Sequence, residues 1–179
     1  EIGLESRFFN GRFGFDFTWY DQTTKNQIIS LASSIPTGYT SRMINAGAIN
    51  NKGIELIVDA IPVETKDWNW KLQFNYTKNW STVLELAEGI DNYVLSQPMS
   101  RISVVAKVGE PFGNIYAKDV KTDEQGRALT KDGKVQITSE EILKGNMNPD
   151  WMGAFSSTLR WRDFDFSFLI DARFGGKMY

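Results

Sequence analysis

The feature that most constrains this chain is the alternation of apolar and polar side chains along six long segments, with exceptions at Ile57 and Leu169. The clearest case is residues 13–20, where phenylalanine and tryptophan hold every odd position and smaller or polar residues, with one tyrosine, hold the even ones. A period of two is the side-chain period of a β-strand whose faces meet different environments. We therefore expect an all-β, antiparallel fold of about six consecutive strands. The six segments are residues 1–8, 12–29, 47–61, 68–83, 151–161 and 164–178.

The connections between these segments alternate between short and long. Asn10-Gly11 suits the positive φ values of a tight hairpin, and Arg162-Asp163 leaves room only for a minimal turn. Short turns at one end of the strands and long loops at the other are the plan of a transmembrane β-barrel. Short connections fall at residues 10–12, 62–67 and 162–163, and long ones at 30–46 and 84–150.

The longest connection, residues 84–150, carries mixed signals. We expect short strands near 102–108 and 114–121, and hairpin turns near 123–126 and 131–133. A connection of this length usually has a function or structure of its own.

Two interpretations of the alternating faces stay open. A barrel would turn its apolar face to lipid and its polar face to a wet lumen, whereas a soluble β-sandwich would bury the apolar face. Strand length favours the barrel, because residues 12–29 and 68–83 far exceed the usual five or six residues of a soluble strand. Six strands cannot close, since the smallest single-chain bacterial barrels have about eight. The barrel interpretation thus predicts a piece of a larger barrel, and the alternative is a soluble carbohydrate-binding β-sandwich of a secreted protein.

The polar faces supply the candidate lumen-facing residues. Charges in the middle of a strand would be costly to bury in a dry core, so a water-filled wall suits them. The candidates are Asp16, Tyr20, Glu55, Asp165, Asp171 and Arg173. Aromatic residues near strand ends would fit an interfacial girdle. These are Tyr20, Trp68, Trp70, Trp151 and Trp161.

Composition argues against several classes of function. The chain of 179 residues has no histidine and no cysteine, which removes the commonest general base and the thiolate metal ligands. The net charge of -2 gives no basic excess for nucleic acid. We therefore expect no enzyme activity, no cofactor and no metal site. Acidic residues near 119–132 could offer oxygens to calcium, but their spacing does not fit a calcium loop, and solvated hairpin turns are the favoured interpretation.

Several motifs together resemble a known family. Residues 45–56 resemble the N-x-G-x-I-x-N-x-G-x-E-L segment of SusC/RagA-type TonB-dependent transporters. Residues 109–116 are similar to the family's G-x-P-x-G-x-I-Y segment, and residues 145–151 to its G-N-x-x-P segment. Further similarities lie at residues 1–5, 68–76 and 164–176. The order and spacing of these pieces cover nearly the whole chain.

The resemblance implies a 22-stranded barrel in the outer membrane of a Gram-negative cell, with short periplasmic turns and long extracellular loops. Residues 1–179 would form part of that barrel, without its N-terminal plug. The family imports oligosaccharides, glycans or peptides with energy delivered through TonB, and a SusD-like lipoprotein covers the barrel. Loop aromatics could contact the cargo or this lid, although packing within the loop is an equal alternative. They are Tyr39, Tyr93, Phe112 and Tyr116.

Overall fold

A computed structural model describes residues 1–26, 28–32, 41–45 and 47–178, with only the backbone given for 28–32 and 41–45. The strands in chain order are β1 (Ile2–Phe8), β2 (Phe13–Lys25), β3 (Ile28–Ala32), β4 (Ser41–Asn45), β5 (Ala48–Glu64), β6 (Trp68–Glu85), β7 (Asn92–Met99), β8 (Ile102–Lys107), β9 (Asn114–Val120), β10 (Thr130–Lys131), β11 (Lys134–Val135), β12 (Ile137–Asn146), β13 (Trp151–Trp161) and β14 (Phe164–Phe174). Six of them form one sheet in the order β1-β2-β5-β6-β13-β14. The expected all-β fold, with its six long strands, is confirmed.

The chain divides into two compact units. The wall unit comprises residues 1–24, 50–81 and 149–175, and the connection unit comprises residues 25–49, 82–148 and 176–179. The connection unit contains a four-stranded sheet in the order β12-β9-β8-β7 and the two hairpins β3–β4 and β10–β11. Among the described residues, no helix is long and apolar enough to cross a membrane.

Strand register sorts the wall unit into an apolar face and a polar face. Residues paired across an antiparallel ladder share a face, and Leu4 is paired with Phe17 while Glu5 is paired with Asp16. At the other edge Leu159 is paired with Phe166. Large apolar side chains on this face stay open to the surroundings, for example Phe164 at 71% and Phe166 at 65% exposure. A sandwich would cover such a face, so the wall unit lacks the buried interface that the sandwich interpretation requires.

The connection unit has a small core of its own. Val83, Leu86 and Ala106 form a buried cluster, against which Phe112 and Tyr93 pack. Val83 is fully buried, and its backbone exchanges hydrogen bonds with the turn after β8. The long connection is therefore folded rather than a bare loop.

Two sequence motifs of the connection unit meet in a clasp, formed by residues 109–116 and 145–148. The Asn146 side chain donates to the carbonyl oxygen of Phe112 at 3.0 Å and to Oδ1 of Asn114 at 2.9 Å. The Met147 backbone N–H donates to the Gly113 carbonyl at 3.0 Å. Gly113 has a φ of 84°, which disfavours any side chain at that position. These contacts between residues 109–116 and 145–148 explain why the chain carries the two motifs.

Several expected boundaries were wrong. The second strand ends at Lys25 rather than 29, because Asn26 takes a left-handed φ of 57°. Residues 30–46, expected to be loop, include the last three residues of β3 and the whole of β4, which pair as a hairpin. The third long strand continues to Glu64, through much of the expected connection 62–67. The last strand ends at Phe174 rather than 178, before Gly175 and its positive φ. Residues 33–40, with Tyr39, lie outside the described residues, as does Tyr179.

Candidate functional site

The six candidate lumen-facing residues lie on one face of the wall unit. Asp165 is paired with Arg160, Asp171 with Ala154, and Arg173 with Met152, all on the polar face of β13 and β14. Asp16 lies on the same face of β2, opposite Glu5. Tyr20 and Glu55 occupy polar-face positions of β2 and β5 in the same alternation. The structure thus gathers all six on the polar face, and their exposure to a lumen remains a prediction.

Tyr20 lies flat across the neighbouring strand, over Gly53. A Cβ atom added at Gly53 would meet Cζ and the hydroxyl oxygen of Tyr20 at 2.3 Å. The Tyr20 hydroxyl donates to Oδ1 of Asn79 at 3.1 Å, and the Asn79 amide donates to Oδ1 of Asn51 at 3.3 Å. This chain of contacts links β2, β6 and β5. Gly53, the second glycine of the 45–56 motif, therefore leaves space for an aromatic ring, and we call such a position a glycine seat.

A second glycine seat lies nearer the short turns. The Arg7 side chain covers Gly14, where an added Cβ would stand 2.8 Å from Cδ of Arg7. The Arg7 guanidinium pairs with Asp59 at 3.5 Å and with Glu5 at 3.3 Å, and Gln73 donates to Asp59 at 3.1 Å. A glycine inside a strand often marks a close approach of another group, but sequence reasoning did not identify Tyr20 or Arg7 as the group that covers each glycine.

A shallow groove runs over this second cluster. Its volume is about 550 Å³, and Arg7, Asp59, Lys71, Gln73 and Thr158 contribute polar side chains to its lining. Hydrogen-bonding and charged groups of both signs face this space. Such a surface can bind polar chains or water, and no nucleophile with an activating base stands in it.

The apolar face carries aromatic rows at both ends. Near the short turns, the Trp68 and Trp161 rings stack with centroids 5.5 Å apart. At the opposite end, Trp151 stacks on Phe174 at 4.0 Å and contacts Tyr76 at 5.6 Å. These rows agree with the predicted positions of tryptophan near strand ends. Tyr20, also expected in a girdle, lies instead on the polar face.

The loop aromatics that the structure describes are engaged within the connection unit. Phe112 and Tyr93 pack against the buried cluster around Val83. The Tyr116 hydroxyl donates a short hydrogen bond to Glu110. This placement supports the packing alternative for the three residues, while contact with cargo or a lid stays a prediction.

Glu110 is the electrostatic centre of the connection unit. Its carboxylate accepts from Lys107 Nζ at 2.6 Å, from Asn114 Nδ2 at 3.0 Å and from the Tyr116 hydroxyl. The bond from Lys107, followed by that from Tyr116, lowers the pKa of Glu110 to about 2. The same bond to Glu110 raises the pKa of Tyr116. Glu110 thus joins the end of β8 to the start of β9, and no sequence signal beyond the motif pointed to it.

The acidic turn around Asp123 satisfies its carboxylate with hydrogen bonds from within the turn. Oδ1 of Asp123 accepts from the backbone N–H groups of Gln125 and Arg127 at 2.9 Å, and Arg127 Nε donates to Oδ2 at 2.7 Å. The backbone of Arg127, followed by its side chain, lowers the pKa of Asp123. Both carboxylate oxygens are therefore used within the turn, as the hairpin interpretation predicts. Across the described ranges, no group of three or more carboxylates could hold a metal ion.

Comparisons with known proteins identify relatives along the whole chain. Residues 1–179 match the family described as "TonB dependent receptor-like, beta-barrel". TonB-dependent receptor P3 of Formosa agariphila is 24% identical over 99% of this chain and 20% of its own length. TonB-dependent receptor SusC of Bacteroides thetaiotaomicron is 27% identical over 99% of this chain and 19% of its own length. The chain thus spans about a fifth of these relatives.

Solved structures show the same fold. The RagAB peptide transporter superposes with a TM-score of 0.73 at 22% identity, covering 92% of this chain and 19% of that one. The RagAB peptide importer in its open-open state gives a TM-score of 0.71 at 20% identity, covering 96% and 19%.

Proposed function

Because this chain belongs to the TonB dependent receptor-like, beta-barrel family, we propose that it forms part of the wall of an outer-membrane importer for oligosaccharides, other glycans or peptides. The observation that carries this proposal is the two-faced sheet, with large apolar side chains exposed on one face and charges gathered on the other. An apolar outer face and a polar inner face are what a barrel in lipid requires.

The spacing of the aromatic rows supports a membrane span. Trp151 and Trp161 bound β13, which has 11 residues. At ~3.3 Å per residue these two side chains lie roughly 33 Å apart along the strand. A strand tilt of about 40° reduces this to roughly 25 Å along the barrel axis, the height of the apolar band of known barrels.

The polar face would then line the lumen, with Asp16, Glu55 and Asp171 among its charges. The wall would act by binding and hydration rather than by covalent chemistry. The long connections would face outside the cell and the short turns the periplasm. The name of TonB-dependent receptor SusC supports TonB as the energy source, and the RagAB peptide transporter supports a peptide as one cargo. A glycan cargo and a SusD-like lipoprotein as the lid follow from the resemblance of the sequence motifs.

Cell fractionation tests the barrel assignment. An antibody against residues 84–150 should detect a band of roughly five times 20.4 kDa, since this chain is about a fifth of its relatives. The band should lie in the outer membrane and shift in mobility on boiling, as folded barrels do. A 20.4 kDa band in the soluble fraction would contradict the proposal.

Uptake measurements test the importer assignment. Cells lacking the gene should lose uptake of either a labelled oligosaccharide pool or a labelled peptide pool, and inactivation of TonB should cause the same loss. A surface lipoprotein should co-purify with the natural protein in mild detergent. Unchanged uptake of both pools would refute import while leaving the barrel intact. Binding of the antibody to intact cells would place residues 84–150 outside.

A further inference from the structure

Lys52 and Lys78 mark where the apolar face of the wall unit changes to a charged surface. On β6 the residues of this face run through Tyr76 to Lys78, and on β5 they run through Ile54 to Lys52. Both lysines lie towards the long-connection end of their strands, beyond the row that contains Tyr76. The change in character therefore falls at a similar level on two adjacent strands.

The opposite face shows that the two lysines are neighbours. Asn51 and Asn79 hydrogen-bond across β5 and β6 at 3.3 Å on the polar face. Lys52 follows Asn51, and Lys78 and Trp80 flank Asn79, so these three side chains share the apolar side of the same pair of strands. Direct and diagonal cross-strand neighbours have Cβ atoms roughly 4.5–8 Å apart. Two lysine side chains whose Cβ atoms lie this close can bring both ammonium groups to one phosphate.

We name Lys52, Lys78 and Trp80 the cationic corner. Nζ of Lys78 stands 4.9 Å from the Trp80 ring centroid, and Trp80 is 48% exposed. In the part of the chain that the structure describes, no carboxylate forms an ion pair with Lys78. Lys52 is held at 3.3 Å by Asp21, whose other oxygen accepts from Asn50 at 2.6 Å. The corner thus combines one ammonium with no acidic partner, one oriented ammonium and an exposed indole.

We propose that the cationic corner binds the phosphate of a lipid headgroup in the leaflet on the long-connection side of the membrane. The inference rests on the proposed function, because it requires the apolar face to lie in lipid. Acyl chains packed along the row of Tyr76 and Ile54 would place their headgroup at the level of the two lysines. Basic groups at this level attract anionic headgroups, and tryptophan favours the same interfacial depth.

The test uses the natural protein in phosphatidylcholine nanodiscs that contain a small fraction of either bisphosphorylated lipid A or the same lipid without phosphates. Native mass spectrometry counts the lipid A retained by the protein. We expect retention of the phosphorylated form, with a loss of roughly fivefold per lysine, or about 25-fold in Lys52→Gln/Lys78→Gln. The matched control is Lys71→Gln, which removes a lysine from the polar face of β6, the strand that also carries Lys78.

Equal retention by the double variant and the natural protein would overturn the inference. A comparable loss in Lys71→Gln, or equal retention of the lipid without phosphates, would do so as well. Heat-modifiable mobility of each variant reports assembly separately. If the natural protein inserts but shows no preference for the phosphorylated lipid, only the lipid site is refuted. If the natural protein does not insert into the membrane, the barrel assignment is refuted too.

Discussion

Replacing Gly53 with alanine should destabilise the wall through a single methyl group. The new Cβ would stand 2.3 Å from Cζ of Tyr20, against an ordinary contact of at least 3.4 Å, so the ring must move by about 1 Å. Such crowding costs roughly 1–3 kcal/mol, and loss of the bond from Tyr20 to Asn79 adds about 1 kcal/mol. Alanine in a strand recovers roughly 0.5–1 kcal/mol over glycine. We therefore expect a net loss of about 1–3.5 kcal/mol.

Gly3 supplies the matched control, since it lies on the same face and has room for a methyl group. Its added Cβ would find Thr18 Oγ1 at 3.8 Å and the Phe17 carbonyl at 3.9 Å, which are ordinary contacts. Gly3→Ala should therefore be neutral or slightly stabilising. The measurement is urea unfolding of the natural protein in lipid vesicles, followed by tryptophan fluorescence.

A double-mutant cycle with Tyr20→Ser isolates the contact between the ring and the glycine. Without the ring, Gly53→Ala should lose its penalty, giving a coupling energy of about 2–4 kcal/mol from the crowding and the lost hydrogen bond together. Two results would contradict this reasoning: Gly53→Ala and Gly3→Ala unfolding at the same urea concentration, or a penalty for Gly53→Ala that persists in Tyr20→Ser. Either would show that contact with the Tyr20 ring is not what requires glycine at position 53.

Three further predictions concern lipid contact and the connection unit. Phe168→Lys, on the apolar face, should cost about 2–4 kcal/mol of folding free energy in bilayers. Ser167→Lys on the polar face should cost little, and equal losses would contradict the assignment of faces. Glu110→Gln should lower hydrogen-exchange protection of residues 107–116 by about 1–2 kcal/mol, a figure already reduced because Lys107 is half exposed; Glu124→Gln, in the turn beside Asp123, should have no such effect. Because the folded pKa of Glu110 is about 2, below its usual 4.5, the protection should be complete above about pH 4.5 and disappear as the pH falls towards 2. A pH profile unchanged in Glu110→Gln would refute this role.

The sequence predicted the wall well because each long strand meets two contrasting environments. A period of two is a local signal, so the faces of Asp16 or Phe168 could be assigned without knowing their partners. The side-chain contacts could not, since Tyr20 meets Gly53 only through the register of two separate strands. Short turns such as Asn10-Gly11 were readable for a similar local reason, as Gly11 has a φ of 83°.

The strands of the connection unit were harder to predict from the sequence because they depend on pairing with distant segments. Residues 140–144 of β12 resemble a helical turn in composition, yet residues 141–143 pair with β9. Strand β7 contains Pro98, which weakens a strand signal but is tolerated there because β7 is at the edge of its sheet. Tertiary context decides such segments, as strand propensity depends strongly on neighbours.

The buried cluster and clasp of the connection unit bear on the thermodynamics of association. A segment that ordered only on contact with a partner would lose about 1–2 kcal/mol of backbone entropy per residue at that moment. Here Val83, Glu110 and Asn146 fix the chain through contacts made within the unit itself. A ligand or protein that docks on this unit meets a surface shaped in advance, so more of the contact energy remains as affinity. Outward-facing side chains can then change from one relative to another without rebuilding the support beneath them.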